Sequence, residues 1–497
     1  MPFVQDEAVE KNDSIHVLFI AAEADPYVKI GGLGDVAGSL PLALHRLYNA
    51  DIFQQKLDIR LVLPYYGVIQ QQDLTVKKVC SFSVQTNKDP VQAEVYETTK
   101  EGLIIYFVSG DPIPPGDPVY NQNFSADADK FIFFSLACLE LPKVLGWRVD
   151  ILHVHDWHTA IAVHQLKMIK KRDSFYKKSR SIITLHNLPF MGNGSEQALV
   201  KYKIKPSTDP TLPDWAQYLP LPMGFAAADQ IVAVSPAYAQ EILTPEFSCN
   251  LHDFFESNQK KLSGILNGLD TILWNPSTDS FIHQTYDRNS LGKKRLNKSE
   301  IQKEMGLVEN PETPLIVLIS RMDTQKGIDI AIEALKLTKN LPWQAILLGS
   351  GDIKLEQLCQ SLEDQLPDKV RARVSFDPKL SHRMYAGGDM LLMPSRYEPC
   401  GLTQMIAMRY GCIPVARATG GLKDSIIDNE KSLERTGFLF ETADPQAFAK
   451  SLTTALVCFD KNSEWIEIQQ RAMQTDFSWA HSAVKYSRLY NRLVIKQ

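Results

Sequence analysis

The stretch Pro394–Gln404, P-S-R-Y-E-P-C-G-L-T-Q, holds residue types that could bind a sugar next to a phosphate. It follows the apolar run Met390–Met393, which predicts a buried parallel strand, and a helical pattern follows it. Loops at the carboxyl ends of such strands bind ligands in open sheets, and the first N–H groups of a helix bind anions. The carboxylate of Glu398 can accept hydrogen bonds from a polyol beside that anion. The alternative is that Glu398 only caps the helix.

Two cations follow another predicted strand, Leu315–Ser320. Arg321 and Lys326 are five positions apart, and the predicted helix Ile328–Leu337 comes directly after them. A diphosphate is well matched by such a pair, because arginine binds phosphate through a planar fork and lysine acts as a point charge. The alternative is a solvated basic loop.

Two glycine turns also follow predicted strands. Thr419–Leu422 comes after the strand Ile413–Val415, and K-I-G-G-L-G-D-V at Lys29–Val36 comes after the strand Ile15–Ala21. Adjacent glycines let backbone N–H groups approach phosphate oxygens closely. A tight corner between strand and helix is the alternative for the turn at Lys29–Val36.

Histidines gather at the end of a further predicted strand. Residues 153–158 contain three histidines and one aspartate, and alternation places His153 and His155 on one face of the strand. A metal site is one interpretation of this cluster, but no second group of ligands accompanies it. His186 and Asn187 follow the predicted strand Ser181–Thr184 and should lie at the same edge of the sheet.

Together these motifs resemble those of the glycogen and starch synthases. The matching strings are K-I-G-G-L-G-D-V, H-V-H-D-W-H-T-A, S-R-M-D-T-Q-K-G, P-S-R-Y-E-P-C-G-L-T-Q and A-T-G-G-L-K-D, within a resemblance that covers about residues 15 to 490. The resemblance implies an α/β protein with two doubly wound Rossmann-like lobes (GT-B) facing a central cleft. It also implies an α-1,4-glucosyltransferase that moves glucose with retention from ADP-glucose to the non-reducing end of glycogen, starch or a maltooligosaccharide.

The resemblance assigns roles to individual residues. His158 would contact the donor glucose, Arg321 and Lys326 would clamp its diphosphate, and Glu398 would orient the sugar; these four are the expected catalytic residues. No metal and no other cofactor is expected, since fixed cations and amides can balance the diphosphate charge. Further substrate contacts are expected from Lys29, Gly31, Gly32, Asp35, His186, Asn187, Cys400, Gly401, Leu402, Thr403, Thr419, Gly420 and Gly421.

Strands alternate with helices on both sides of a turn-rich connector, which predicts two α/β domains. The predicted N-terminal Rossmann-like domain, on the acceptor side, spans residues 1–265, and the connector spans 266–312. The predicted nucleotide-sugar-binding domain spans 313–476. The resemblance implies that the last helix, 477–497, packs back on the first lobe.

Composition excludes several classes of protein. The formal charge of −5 argues against nucleic acid or an anionic membrane as a main partner. The seven cysteines have no metal-like spacing, which favours a reducing compartment. The start, residues 1–13, does not resemble a signal or transit peptide, and no apolar run is long enough to span a membrane. We therefore expect a cytoplasmic protein, or one of the plastid stroma if the source is a plant or alga.

Two departures bear on the type of transferase. Many related enzymes carry a second glutamate eight residues after the first, but Ile406 stands there, as in the glycogen and starch synthases. The family's usual Y-G-x-G-L segment is replaced by E-F-S-C-N-L-H-D-F at 246–254. Two alternatives remain open: an ADP-glucose-dependent enzyme with a short or different acceptor, and a non-catalytic relative that binds glucan or nucleotide. The second alternative predicts the loss of a clamp residue, and none is lost.

Overall fold

A computed structural model describes residues 14–49, 56–429 and 434–495. Contacts divide the chain into two compact units. The first unit comprises Met1–Val232, Ser248–Ser263 and Trp479–Gln497, and the second comprises Ala233–Phe247 and Gly264–Ser478. The functional domain boundaries given above stay predictions.

The described residues form fifteen strands and seventeen α-helices. The strands are β1 Ser14–Ile20, β2 Lys56–Pro64, β3 Lys77–Val84, β4 Val91–Lys100, β5 Leu103–Ser109, β6 Ile151–His155, β7 Arg180–Leu185, β8 Gln230–Ala233, β9 Leu262–Gly264, β10 Leu315–Ile319, β11 Gln344–Gly349, β12 Val370–Val374, β13 Met390–Met393, β14 Ile413–Arg417 and β15 Phe438–Phe440. The helices are α1 Gly32–Asn49, α2 Gly67–Gln70, α3 Phe124–Val144, α4 Asp156–Ile169, α5 Glu196–Lys201, α6 Pro220–Ala227, α7 Pro236–Glu241, α8 His252–Ser257, α9 Lys294–Glu304, α10 Ile328–Leu337, α11 Ile353–Gln365, α12 Pro378–Gly387, α13 Thr403–Arg409, α14 Gly420–Ser425, α15 Pro445–Phe459, α16 Asn462–Gln474 and α17 Trp479–Ile495.

The sheet of the first unit has the strand order β3-β4-β5-β2-β1-β6-β7-β8-β9. Its centre is parallel, from β5 through β2, β1 and β6 to β7. One edge of the sheet is antiparallel and is formed by β3, β4 and β5. The central strands read as near-continuous apolar runs because helices cover both faces of such a sheet.

The sheet of the second unit has the order β12-β11-β10-β13-β14-β15, and every pairing in it is parallel. Its strands are short and buried, as in the fully buried run of β13. Both units are therefore doubly wound α/β structures, and the fold class predicted from the sequence is confirmed.

Each sheet has a point at which the strand order reverses. In the first unit β1 lies between β2 and β6, and in the second unit β10 lies between β11 and β13. Ligands bind in the crevice outside the carboxyl ends of strands at such switch points. The loop after β1 carries the glycine turn Lys29–Val36, and α4, which follows β6 directly, carries His158 in its first turn. The loops after β10 and β13 carry Arg321 and Glu398.

Among the described residues no helix is long and apolar enough to cross a membrane. All seven cysteines are free thiols. The last helix, α17, belongs to the first unit, where it packs against α1 and where the hydroxyl of its Tyr490 lies 2.7 Å from Nδ1 of His153.

Candidate functional site

In the second unit, the loops after β10 and β13 bring Lys326 and Glu398 together. Nζ of Lys326 donates to both carboxylate oxygens of Glu398, at 2.9 and 2.7 Å. The hydroxyl of Ser395 also donates to Glu398, at 2.9 Å. Glu398 is only 4% exposed, and its buried carboxylate is paired with the half-buried ammonium of Lys326 rather than left unpaired.

The loop after β10 is shaped by Asp323. Its carboxylate caps a short 3₁₀ turn by accepting from the backbone N of Lys326, at 3.0 Å. The same carboxylate lies 3.2 Å from Nη1 of Arg321, whose side chain is 64% exposed. Asp323 thus contacts both cations of the predicted clamp, of which Lys326 is half-buried beside Glu398 and Arg321 faces solvent.

The turn that follows Glu398 depends on Gly401, which has a φ of +71°. A Cβ there would collide with the side chain of Gln404. Gln404 is fully buried, and its amide donates to the carbonyls of Cys400 at 3.1 Å and Gly401 at 2.9 Å. Leu402, at the N-cap position of α13, makes no side-chain cap hydrogen bond. The buried Gln404, which the sequence did not single out, instead ties the first turn of the helix to the carbonyls before it.

Cys400 is buried within this turn. Burial raises the pKa of its thiol to about 12, so it stays a thiol at neutral pH. Thr403 is the first residue of α13, and a hydrogen bond from its side chain reaches Tyr385 of α12. Cys400 and Thr403 therefore lie at the predicted place beside Glu398.

The glycine turn Thr419–Gly421 packs on the backbone of the segment that contains Glu398 and Cys400. The N–H of Gly421 donates to the carbonyl of Glu398 at 3.0 Å. A Cβ at Gly420 would collide with that carbonyl, and one at Gly421 with the carbonyl of Cys400. These glycines thus permit close packing of two loops.

A carboxylate from α7 occupies the other donors of this turn. Oε1 of Glu241 accepts from the N–H of Gly420 at 2.8 Å and from the hydroxyl of Thr419 at 2.9 Å. The hydroxyl of Ser235 donates to the carbonyl of Pro399 at 2.6 Å, so a second residue of the α7 segment holds the Glu398 loop. The sequence did not identify Glu241 as a site residue.

In the first unit, the loop after β1 is organised by Glu23. Its Oε2 accepts from the backbone N–H groups of Ile30 and Gly31, the latter at 3.1 Å. Tyr120 donates its hydroxyl to the other oxygen at 3.1 Å. Burial raises the pKa of Glu23, against the lowering effect of these three donors. The sequence analysis did not identify this glutamate either, although it follows the carboxyl end of the first strand, where ligand-binding residues are found in such sheets.

Lys29 and Asp35 lie side by side in that loop. Nζ of Lys29 is 2.5 Å from Oδ1 of Asp35, and their side chains are 39% and 22% exposed. Gly32 is the first residue of α1, and a Cβ on it would meet nothing. The predicted lysine, aspartate and glycines of this loop are therefore close together and partly open to solvent.

His158 is buried in an aromatic cage. The centroids of the rings of Trp157, Phe131 and Tyr120 lie 4.5, 4.7 and 5.0 Å from that of His158. Burial lowers its pKa to about 3, so the imidazole is neutral at physiological pH. Its Nδ1 is buried and has no hydrogen-bond partner within the described chain. An unsatisfied buried nitrogen is rare and is a candidate contact for a ligand.

Asp156, the first residue of α4, connects the helix turn that carries His158 to the loop that carries His186. Its Oδ1 accepts from the backbone N of His186 at 2.7 Å, and Asn187 also donates its backbone N–H to this carboxylate. Asp156 has a left-handed φ of +53°, a strained conformation typical of functional sites. Burial raises its pKa to about 7, helped by the charge of Glu23 and opposed by the two amides. The structure therefore brings His158, His186 and Asn187 to one edge of the sheet, as predicted.

The histidines of β6 are bonded to protein groups. His153 and His155 stack at 4.5 Å on one face of the strand, as alternation predicted. Nε2 of His153 lies 2.7 Å from the hydroxyl of Thr184, and Nδ1 of His155 lies 2.9 Å from Nε2 of His186. Residues 14–49, 56–429 and 434–495 contain no group of three or more His, Cys, Asp or Glu side chains that could hold a metal.

Comparisons with known proteins place these sites in a family. The starch synthase catalytic domain family matches residues 16–257, and the family of glycosyl transferases group 1 matches residues 299–471. The glycogen synthase of Thermotoga maritima is 37% identical over 493 residues, which cover 97% of this chain and 99% of that protein. This chain belongs to the glycogen and starch synthase family. The glycogen synthase of Anoxybacillus flavithermus is 34% identical over 483 residues, covering 96% of this chain and 98% of that one.

Solved structures agree with this membership of the glycogen and starch synthase family. The catalytic domain of starch synthase IV from Arabidopsis thaliana, bound to ADP and acarbose, is 33% identical and aligns with a TM-score of 0.86 over 97% of this chain and 99% of that chain. A sucrose-phosphate synthase from Thermosynechococcus elongatus shares the fold, at 17% identity and a TM-score of 0.60. The predicted family and the predicted enzyme class, a hexosyltransferase, are confirmed.

Proposed function

We propose that this synthase transfers glucose, with retention, from ADP-glucose to the non-reducing end of an α-1,4-glucan. The observation that carries the proposal is the ion pair between the partly exposed Lys326 and the buried Glu398 at the switch point of the second sheet. The related starch synthase IV was solved with ADP and acarbose, which supports a nucleoside diphosphate and an oligosaccharide as ligands.

Lys326 and Arg321 would act on the leaving group. When the glycosidic bond to the diphosphate breaks, negative charge develops on the phosphate oxygens, and preorganised cations stabilise it. Asp323 holds the loop that carries both cations. The backbone N–H groups of Leu402 and Thr403, at the start of α13, would add donors for the same anion.

Glu398 would orient the donor sugar. Two of its acceptor positions are taken by Lys326 and one by Ser395, yet an ionised carboxylate has about four lone-pair sites. The remaining capacity can accept a sugar hydroxyl. Since Gly401 and the turn Thr419–Gly421 pack around the backbone of Glu398, we assign that turn the task of holding this carboxylate in place.

His158, His186 and Asn187 would bind sugar hydroxyls in the first unit. His158 and His186 are neutral, each with a pKa lowered to about 3 by burial, so each ring offers one donor and one acceptor. Nδ1 of His158 and Oδ1 of Asn187 are buried without partners among the described residues, and hydroxyl groups would satisfy them. We assign Lys29 to the donor phosphates and Asp35 to the acceptor side, with the amides of Gly31 and Gly32 beside them.

We also propose a cytoplasmic location, which the seven free cysteines support. We propose that the site works without a metal, since the cations named above can balance the diphosphate.

The test is transfer of labelled glucose. The protein would be incubated with labelled ADP-glucose and glycogen, maltose or no acceptor, and the label in glucan would be counted. We expect rapid incorporation with glycogen, slower incorporation with maltose and none without acceptor. Incorporation into maltose alone would identify the enzyme with a short acceptor. Binding of ADP without any transfer would identify a non-catalytic relative.

A further inference from the structure

A cavity of about 350 Å³ lies in the first unit, away from the candidate site. It is lined by Arg180, Asp229, Gln230, Lys260, Arg492 and Leu493. Arg180 is the first residue of β7, and His186 follows the last residue of that strand. The cavity is therefore separated from His186 by one strand length, roughly 20 Å at the usual rise per residue.

The lining of this cavity carries more positive than negative charge. Among the described residues that line the cavity, only Asp229 has a carboxylate. This carboxylate accepts hydrogen bonds from the backbone N–H and the hydroxyl of Ser181, at 2.8 and 3.0 Å. Arg180 is 3.6 Å from Asp229. Lys260 and Arg492 are exposed and make no hydrogen bond or ion pair with residues 14–49, 56–429 or 434–495. The cavity thus has three cations and one anion, and two of the cations are uncompensated.

The chain that leads up to Arg180 is basic as well. The segment 167–180 contains seven lysines and arginines and one aspartate, in a chain whose net charge is −5. Lys170 donates to the carbonyl of Ser179, and its pKa is lowered by burial, with Asp229 opposing and Arg180 adding to that shift. The pKa of Lys261 is lowered to about 8, mainly by burial and further by the charge of Lys167. A cavity with an excess of positive charge concentrates anionic ligands.

We propose that this cavity binds a small phosphate monoester. A phosphate monoester carries close to two negative charges at pH 7, which matches the two uncompensated cations. Arg180 and Arg492 can bind phosphate oxygens through their planar forks, and Lys260 adds a point charge. Buried Leu493 supplies an apolar surface for the carbon part of the ester. The volume is at the lower end of small-molecule sites, so the ligand is a small metabolite rather than a polymer.

The site is independent of the proposed transferase chemistry, so its test does not depend on turnover. Binding of glycerol 3-phosphate to the full chain would be measured by calorimetry with saturating ADP present, because ADP fills any phosphate site beside Arg321 and Lys326. Inorganic phosphate is the second probe, and glycerol and sodium chloride at equal ionic strength are the blanks. We expect one saturable site for glycerol 3-phosphate, weaker binding of inorganic phosphate and no binding of glycerol.

Variants locate the binding. The double variant Lys260→Gln/Arg492→Gln removes both uncompensated cations and should weaken glycerol 3-phosphate binding about a hundredfold, at about tenfold per charge-assisted hydrogen bond. The matched control Lys354→Gln/Lys450→Gln removes two exposed lysines of the second unit and should leave binding unchanged. Neither double variant should alter glucosyl transfer measured without the ester.

Several results would overturn the proposal. One is the absence of saturable glycerol 3-phosphate binding to the wild-type protein. Another is equal affinity of the wild type and the Lys260→Gln/Arg492→Gln variant for glycerol 3-phosphate. The third is equal affinity of the wild type for inorganic phosphate and for glycerol 3-phosphate. If the double variant does not fold, Lys260→Gln and Lys260→Arg replace it. The affinity for glycerol 3-phosphate should then fall about tenfold in Lys260→Gln and be retained in Lys260→Arg. Equal affinity of these two variants would also reject the site.

Discussion

Glu241 accepts a hydrogen bond from the backbone N–H of Gly420, at 2.8 Å. The adjacent Gly421 donates to the carbonyl of Glu398, at 3.0 Å. A carboxylate of α7 is thereby connected through one glycine turn to the buried glutamate that we propose orients the donor sugar. The other oxygen of Glu241 is buried and has no partner within the described chain, and burial raises the pKa of this group.

This relationship predicts that Glu241 affects turnover without touching substrate. Glu241→Ala leaves Gly420 N and the hydroxyl of Thr419 without their acceptor, which costs about 1–3 kcal/mol for a buried donor. We expect kcat to fall about tenfold while KM for ADP-glucose changes little. Glu241→Gln keeps an acceptor oxygen and should retain most activity. Steady-state kinetics of the two variants decide the point, and equal kcat values for both would contradict it.

The second prediction concerns Glu398 itself. Glu398→Gln removes the charge while preserving the shape, and transfer should fall by at least about a hundredfold, as for the loss of a preorganised catalytic group. The variant should still bind ADP, because Lys326 remains and is released from its ion pair. Glu441→Ala, an exposed glutamate of the same unit, is the control. Near-normal transfer by Glu398→Gln would show that this carboxylate only caps the helix.

The third prediction separates the two cations. Lys326→Ala and Arg321→Ala should each lower kcat by roughly two to three powers of ten and weaken ADP binding. Because Lys326 contacts Glu398 directly, its substitution should cost less in a Glu398→Gln background than in the wild type. Arg321 is mainly exposed and should show no such coupling. Calorimetric titration with ADP and a double-mutant cycle on kcat test both statements, with Lys339→Ala as the exposed control.

The fourth prediction is a loss of stability in acid. The pKa values of His158 and His186 are lowered to about 3 by burial, whereas an unfolded histidine binds a proton below about pH 6.5. The unfolded chain then binds more protons than the folded chain between about pH 6.5 and 3, so stability falls as pH falls through this window. The pKa of Asp156 is raised to about 7, so its effect on stability has the opposite sign. The stability that this group contributes is lost as pH rises from about 4 to 7.

Histidine variants can isolate this effect. The apparent unfolding temperature of the protein should fall from pH 6.5 to pH 5, and His186→Gln should make that fall shallower by removing one group that is neutral only when folded. His283→Gln changes an exposed histidine and should leave the slope as it is in the wild type. A wild-type unfolding temperature that is flat over this range would contradict the buried, neutral state of these rings.

Much of the fold follows from periodicity and turn residues. The apolar run Met390–Met393 and the helix Ile328–Leu337 have the predicted bounds. The first helix, by contrast, begins at Gly32, inside the predicted glycine turn Lys29–Val36. Glycine disfavours helix interiors, but here Glu23 binds the backbone N–H groups of Ile30 and Gly31 just before the helix and fixes its first turn.

The contacts within the site are harder to predict from the sequence. The pairing of Lys326 with Glu398 joins loops 72 positions apart, and it follows only from the neighbouring places of β10 and β13 in the sheet. The contacts of Glu241 with Thr419 and Gly420 arise because α7 belongs to the second unit. Along the chain, however, α7 follows β8, which is a strand of the first sheet. The segment 246–254 lacks the family's glycines, yet Cys249 and Asn250 still adopt positive φ values of 50° and 64°. Asparagine is one of the non-glycine residues that adopt a positive φ most readily, whereas the same conformation at Cys249 could not be predicted from its residue type.

The last prediction concerns the donor and the absence of a metal requirement. Lys326, Arg321 and Lys29 are fixed cations that can meet a diphosphate, so excess EDTA should leave the rate nearly unchanged. ADP-glucose should be used faster than UDP-glucose, in keeping with the ADP bound to the related starch synthase IV. Parallel assays with the two nucleotide sugars, each with and without EDTA, test both points. A strong dependence on added magnesium would reject the metal-free clamp. A higher rate with UDP-glucose would instead reject the donor while leaving the clamp intact, because the diphosphate is common to both sugars.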